Sequence, residues 1–125
     1  MTEWGSFQKD IHVWKAGMMP ASENTPRKEF ERSIEEVTEL DKAIADGNPE
    51  QIGAEAVDVI IRMIGIATIV GANIDELLGK KIKQTTQEKY PAGVVRANMD
   101  LGDTWQQAMA KQKVVWNRKQ QLKKQ

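Results

Sequence analysis

The sequence has no cysteine and a single histidine, His12. The first absence excludes disulfides, thiolate zinc sites, iron–sulfur ligation and a cysteine nucleophile. The second excludes His-rich metal sites and the HExxH motif. Any metal must then be held mainly by oxygen, which points to a hard cation such as Mg²⁺ or Mn²⁺. Net charge is also missing: 18 basic residues balance 18 acidic ones, which argues against a uniformly basic nucleic-acid binder. Long apolar runs are absent. The longest, Ile64–Ala72, is too short and too Gly-rich to cross a bilayer, and Met1–Asp10 lacks the apolar core of a secretory signal. These absences lead to the expectation of a cytoplasmic protein without membrane contact. What remains is 125 residues, 40% of them hydrophobic, enough for one core and too few for two.

The neutral total hides an uneven layout. Ten acids and two bases lie between Glu29 and Asp58; four lysines and one acid lie between Lys80 and Lys89; six bases and no acid follow Asp103. The periodicity predicts an all-α chain of four or five helices. The first, about Trp4–Lys15, carries Phe7, Ile11 and Trp14 at helical spacing. Ala16–Thr25 reads as a loop. Thr25-Pro26 is an N-cap followed by proline at the first helical position, opening a helix to about Asp46 with the apolar stripe Phe30, Ile34, Val37, Leu40 and Ile44. Gly47-Asn48-Pro49 ends it and starts the next, about Pro49–Val70, which is apolar nearly all round from Ala54 onward and is therefore expected at the centre of a bundle. Asn73 caps a fourth helix to about Glu88, with Glu76 in the capping-box position. Tyr90–Gly93 is a turn, and a final helix spans about Thr104–Leu122.

The link between the second and third helices is so short that they must pack antiparallel. Each carries two carboxylates at i, i+3: Glu36 and Glu39 on one, Glu55 and Asp58 on the other. Each pair shares a helix face. Glu55, Asp58 and Arg62 are the only charged residues between Gly53 and Ala72. Like charges on an apolar helix are costly without compensation. A divalent cation between the facing helices relieves that cost; salt bridges to Arg32, Arg62 or the fourth-helix lysines are the competing explanation.

Arg32-Ser-Ile-Glu35-Glu36-Val-Thr-Glu39-Leu40, a fifteen-residue spacer Leu40–Ala54, and Glu55-Ala-Val-Asp58-Val59 resemble the ExxE…ExxD signature of MazG-like nucleoside triphosphate pyrophosphohydrolases, of the all-α NTP pyrophosphatase superfamily. The resemblance runs from about Phe7 to Pro91 and includes the opening Phe7–Trp14 and Lys81–Pro91. It implies a helical bundle built around the hairpin and completed by homodimerisation, as a dimer or a dimer of dimers. It implies a domain over residues 1–93; the chain beyond Gly93 lies outside the resemblance, and its own residues make 94–125 a basic helical extension, in the same domain or as an oligomerisation arm. The implied activity is hydrolysis of a nucleoside triphosphate substrate, or its deoxy form, to monophosphate and pyrophosphate. Glu36, Glu39, Glu55 and Asp58 are the implied Mg²⁺ ligands, with Glu35 and the first-motif acids assisting catalysis. Thr85 or Thr86 stands where the family usually has an asparagine.

The residues suggest further roles. Arg62, Lys81, Lys83 and Lys89 are candidates for phosphate; a solvated basic face is the competing assignment for the lysines. Trp14 and Phe30, with Trp4 or His12, are candidates to stack on a base, against a core role for the same rings. The direct alternative for the whole chain is a non-catalytic helical module that binds nucleic acid or a protein through its basic last helix.

Overall fold

A computed structural model describes residues 3–124. The described chain forms six α-helices and one π-helical turn, with no strand: α1 Glu3–Met18, α2 Pro26–Asp46, α3 Pro49–Ile69, α4 Ile74–Lys83, the π turn Gln84–Lys89, α5 Ala92–Asp100 and α6 Trp105–Lys123. It divides into two compact units, one reaching Leu77 and the other starting at Leu78. Among the described residues no single helix is long and apolar enough to cross a membrane.

The helix starts follow the capping chemistry. Lys28 N donates to Thr25 Oγ1, with Pro26 at the first position of α2; Glu50 N and Gln51 N donate to Asn48 Oδ1, with Pro49 opening α3. Gly47 closes α2 at φ 76°, and its N–H donates to Ala43 O and Ile44 O. Only a residue without Cβ adopts that conformation freely. One tight turn therefore reverses the chain, and α2 packs along α3.

The seam between them repeats every seven residues. Glu29, Ser33, Glu36, Leu40 and Ala43, each buried or half-buried, follow that spacing on α2; Ile52, Glu55, Val59, Arg62 and Ile66 follow it on α3. Glu29 meets Arg62, and Glu36 meets Glu55. Those pairs step seven residues up one helix and seven down the other, as antiparallel heptad packing requires. Helix α1 also packs on α3. Its Gln8 clasps the corner after α3, Nε2 donating to Ala72 O at 2.6 Å while Oε1 accepts from Ile74 N at 3.0 Å.

This seam differs from the predicted stripe. Phe30, Ile34, Val37 and Ile44 of that stripe are exposed, between 46% and 57%, and only Leu40 joins the seam. Nor is α3 enclosed: Ile64 and Gly65 are buried, while Val57, Ile60 and Met63 face outward. The apolar pattern of α2 marks a second face, one heptad position from the face that packs.

In the second unit, the helix expected to end near Glu88 changes pitch at Gln84, where Tyr90 N bonds to Thr85 O. Helix α5 was not foreseen: its nine residues are too few to show a clear period. It packs on α6, which opens with a complete capping box between Thr104 and Gln107. Val95 and Ala108 are buried there, beside an apolar hollow of about 350 Å³ that includes Met99, Trp105 and Met109.

Candidate metal centre

The heptad seam places charged residues where a hairpin would ordinarily hold leucine. One carboxylate oxygen each from Glu36, Glu39 and Glu55 lies within 4.8 Å of the others. Glu36 and Glu55 are half-buried and Glu39 is exposed. Asp58 stands one turn beyond Glu55, exposed, and near enough for its charge to act on Glu55. Burial raises the Glu55 carboxyl above its ordinary 4.5; the charges of Glu39 and Asp58, a hydrogen bond with Glu39 and the charge of Glu36 push in the same direction. Glu55 Oε2 is buried and receives no hydrogen bond.

An oxygen-only donor set with one acceptor left unmade suits a hard divalent cation. Such a cation would take Glu36, Glu39 and Glu55 as ligands, with Asp58 at the margin. The sequence-predicted quartet is thus brought together as a tight trio and a fourth acid beside it.

Behind the trio lies a charge network whose Arg62 bears out the competing salt-bridge explanation at Glu36, and whose centre, Glu29 with Lys15, the sequence reading missed. Glu29 is 1% exposed and binds cations from three helices. Arg32 Nη1 donates to its Oε1 at 2.7 Å; Lys15 Nζ and Arg62 Nη1 lie 3.2 and 3.5 Å from its Oε2. Burial alone raises Glu29, but the hydrogen bonds from Arg32 and Lys15 and the charges of Lys15 and Arg62 outweigh it and hold the carboxyl below 4.5. Arg62 joins network and centre, because its Nε lies 3.7 Å from Glu36 Oε1. The legible signal was Gly65 in an apolar helix. A Cβ there would meet Lys15 Nζ at 3.0 Å and Glu29 Oε2 at 3.5 Å, so the missing side chain makes room for the ion pair.

The remaining predicted residues are dispersed. Glu35 is exposed and lines a shallow depression with Glu23, Lys28, Glu31 and Arg32. Trp14 is 48% exposed. Phe30 lies under the Arg27 guanidinium, 5.5 Å from the ring centroid, beside an open cleft of about 570 Å³ shared with Thr25, Pro26 and Ile66. Lys81, Lys83 and Lys89 belong to the second unit; the first two are exposed, and Lys89 Nζ sits 5.4 Å from the Tyr90 ring centroid. Comparison with protein-family models, with curated proteins and with solved structures found no match to this chain.

Proposed function

We propose that the chain is a divalent-metal-dependent nucleoside triphosphate pyrophosphohydrolase, converting a (d)NTP and water to (d)NMP and pyrophosphate. The observation that carries this reading is the convergence of Glu36, Glu39 and Glu55 on one point, with Glu55 Oε2 buried and without a donor. Glu36, Glu39, Glu55 and Asp58 hold Mg²⁺, or Mn²⁺ in its place. When bound, the cation neutralises polyphosphate charge and lowers the pKa of a coordinated water.

The chain's own groups supply the rest. Glu39, the exposed member of the trio, orients the attacking water and accepts its proton. Glu35 is the reserve acid on the same helix. Water forms the new bond at the α-phosphorus, the α–β bridging P–O bond breaks, and pyrophosphate leaves. Arg62, anchored by Glu29, faces the phosphates and offsets their charge. The other phosphate candidates of the sequence, Lys81, Lys83 and Lys89, belong to the second unit. Trp14 and Phe30 are half-exposed rings available to a base.

The active form is a homodimer or a dimer of dimers. The uncovered stripe Phe30, Ile34, Val37 and Ile44, with Val57, Ile60 and Met63 on α3, supports this, since so much exposed apolar surface calls for a partner.

A panel of NTPs and dNTPs incubated with Mg²⁺ tests the reading. Monophosphate and pyrophosphate should form and should cease on chelation. Inactivity across the panel, with binding to DNA or RNA instead, overturns it in favour of an interaction module acting through the basic α6.

A further inference from the structure

The zero net charge of the chain conceals a division between its two units. Residues up to Leu77 hold seven bases and fifteen acids, a net charge of −8. Residues from Leu78 onward hold eleven bases and three acids, a net charge of +8. A field of one sign at that strength attracts an anion of many charges rather than a single one. Helix α6 is the most one-sided element: five of its residues are basic and none is acidic. Among the described residues it makes one ion pair, Lys111 with Asp103 at 2.6 Å.

The same unit holds the open hollow of about 350 Å³ beside α5 and α6. Its walls include Tyr90, Val95, Arg96, Met99, Trp105 and Met109, and no acid lines it. Trp105 is 54% exposed, a flat ring left uncovered against apolar walls. Cations stand round it. Arg96 is itself a lining residue, and Lys89 Nζ lies 5.4 Å from the Tyr90 ring centroid. Trp105, Met109 and Lys113 fall at i, i+4 and i+8 of α6, so ring, thioether and ammonium follow one another along one row of the helix.

Size and chemistry restrict the occupant. The volume is at the small end of ligand pockets and suits one flat ring system. A polyanion that carries such a ring at every repeat is a nucleic-acid strand. In a duplex the ring faces are stacked on each other and cannot enter a hollow; an unpaired strand offers them. A membrane surface matches the charge but presents no rings. An apolar peptide matches the hollow but not the cations.

We propose that the second unit is a binding surface for single-stranded nucleic acid. One base stacks on Trp105 in the hollow, Arg96, Lys89 and Lys113 meet the adjoining phosphates, and the later cations of α6 extend the contact. Base face and phosphate are common to RNA and DNA, so both strands qualify. This surface shares no residue with the carboxylate trio, goes beyond the pyrophosphohydrolase reading and does not rest on it.

The full chain is titrated in chelator and low salt with labelled oligo-dT and oligo-U about twelve nucleotides long, with a duplex of the same length, and with phosphatidylserine vesicles. Both strands should bind at least about tenfold tighter than the duplex. Affinity should fall as salt rises, with a log–log slope of about −0.7 for each phosphate neutralised. The stronger of the two strands tells whether RNA or DNA is the preferred source. Trp105→Ala should weaken strand binding about tenfold, and Trp105→Phe should keep most of it. Both should retain wild-type helical content by circular dichroism, since more than half of that ring is exposed. Lys113→Gln should weaken both strands alike and flatten the salt slope by about one phosphate's share. Duplex binding as tight as strand binding, or equal strand binding by Trp105→Ala, overturns the proposal. Binding to vesicles alone, or to no probe, overturns it as well. Strand binding without turnover of any triphosphate upholds this surface and sinks the hydrolase; turnover without strand binding does the reverse.

Discussion

Arg62 Nε stands 3.7 Å from Glu36 Oε1, so one acid of the centre has a counter-charge from the facing helix while Glu55 has none. The same guanidinium reaches Glu29. Glu36 is thereby held on the seam, and Arg62 cannot swing to bulk solvent without leaving a buried carboxylate. Arg62→Ala leaves Glu29 with Lys15 and Arg32 and should therefore cost less than the ~3–5 kcal/mol of breaking a buried ion pair outright. In turnover assays it should raise KM for the triphosphate more than it lowers kcat. An unchanged KM removes Arg62 from phosphate binding.

The two shifted carboxylates make opposite predictions for pH. Glu29 is held below 4.5, so its contribution is present above about that pH and is lost as pH falls through its lowered value. Glu55 is raised, so its protonated form favours the fold; that contribution is full below about 4.5 and disappears as pH rises through the raised value. In chelator the melting temperature should therefore peak in the mildly acidic window between the two. Mg²⁺ should restore stability on the alkaline side, where cation replaces proton. Glu55→Gln should flatten that side and abolish the Mg²⁺ response. A Mg²⁺-dependent rise that survives in Glu55→Gln places the cation elsewhere.

Glu39→Gln and Asp58→Asn separate catalysis from folding. Both residues are exposed, so neither change opens a cavity. Each removes a negative charge from an acid-rich site, and the fold should hold or gain stability by thermal melt. Pyrophosphate release should drop by about a hundredfold or more, above the range for disturbing a ligand's support. Retained turnover in both would exclude them from the centre.

Much of the first unit was legible because its rules are local. Thr25-Pro26, Gly47-Asn48-Pro49 and Asn73 set helix ends by short-range bonding, and all three caps are present. The short turn dictated the hairpin, and the i, i+3 spacing put the acids on one side. The facing surface was not legible. The one apolar stripe of α2 is uncovered in the single chain, while the face that meets α3 carries Glu29, Ser33 and Glu36 and reads as polar. Lys15 and Glu29 were missed for a related reason. Charged residues read as surface in a one-dimensional pattern, and only the packing of three helices brings a lysine and two arginines to one carboxylate.

That buried network invites a double-mutant cycle. Glu29→Ala leaves Lys15 enclosed with no counter-charge and should destabilise by about 3–5 kcal/mol. Lys15→Met combined with Glu29→Leu removes both charges and keeps the volume, while Arg32 retains Glu23 and Arg62 retains Glu36. The double variant should recover most of the loss in urea melts. Equal loss in single and double variants would show that the network's worth lies in geometry and not in charge balance.

The last prediction concerns the uncovered face of α2. Phe30, Ile34, Val37 and Ile44 fall at heptad spacing, the arrangement by which helices recognise helices. Val37 sits in the middle and directly follows Glu36, so a partner seated on this face lies against the carboxylate centre. By sedimentation the wild type should have at least twice the chain mass, and Val37→Lys, which sets a charge in the seam, should give single chains that keep their helical content by circular dichroism. Turnover should fall with the loss of association and recover in part at high protein concentration, where mass action restores the pair. A Val37→Lys protein that still associates assigns the interface to another face. A wild type that sediments as a single chain removes the partner from the proposed enzyme.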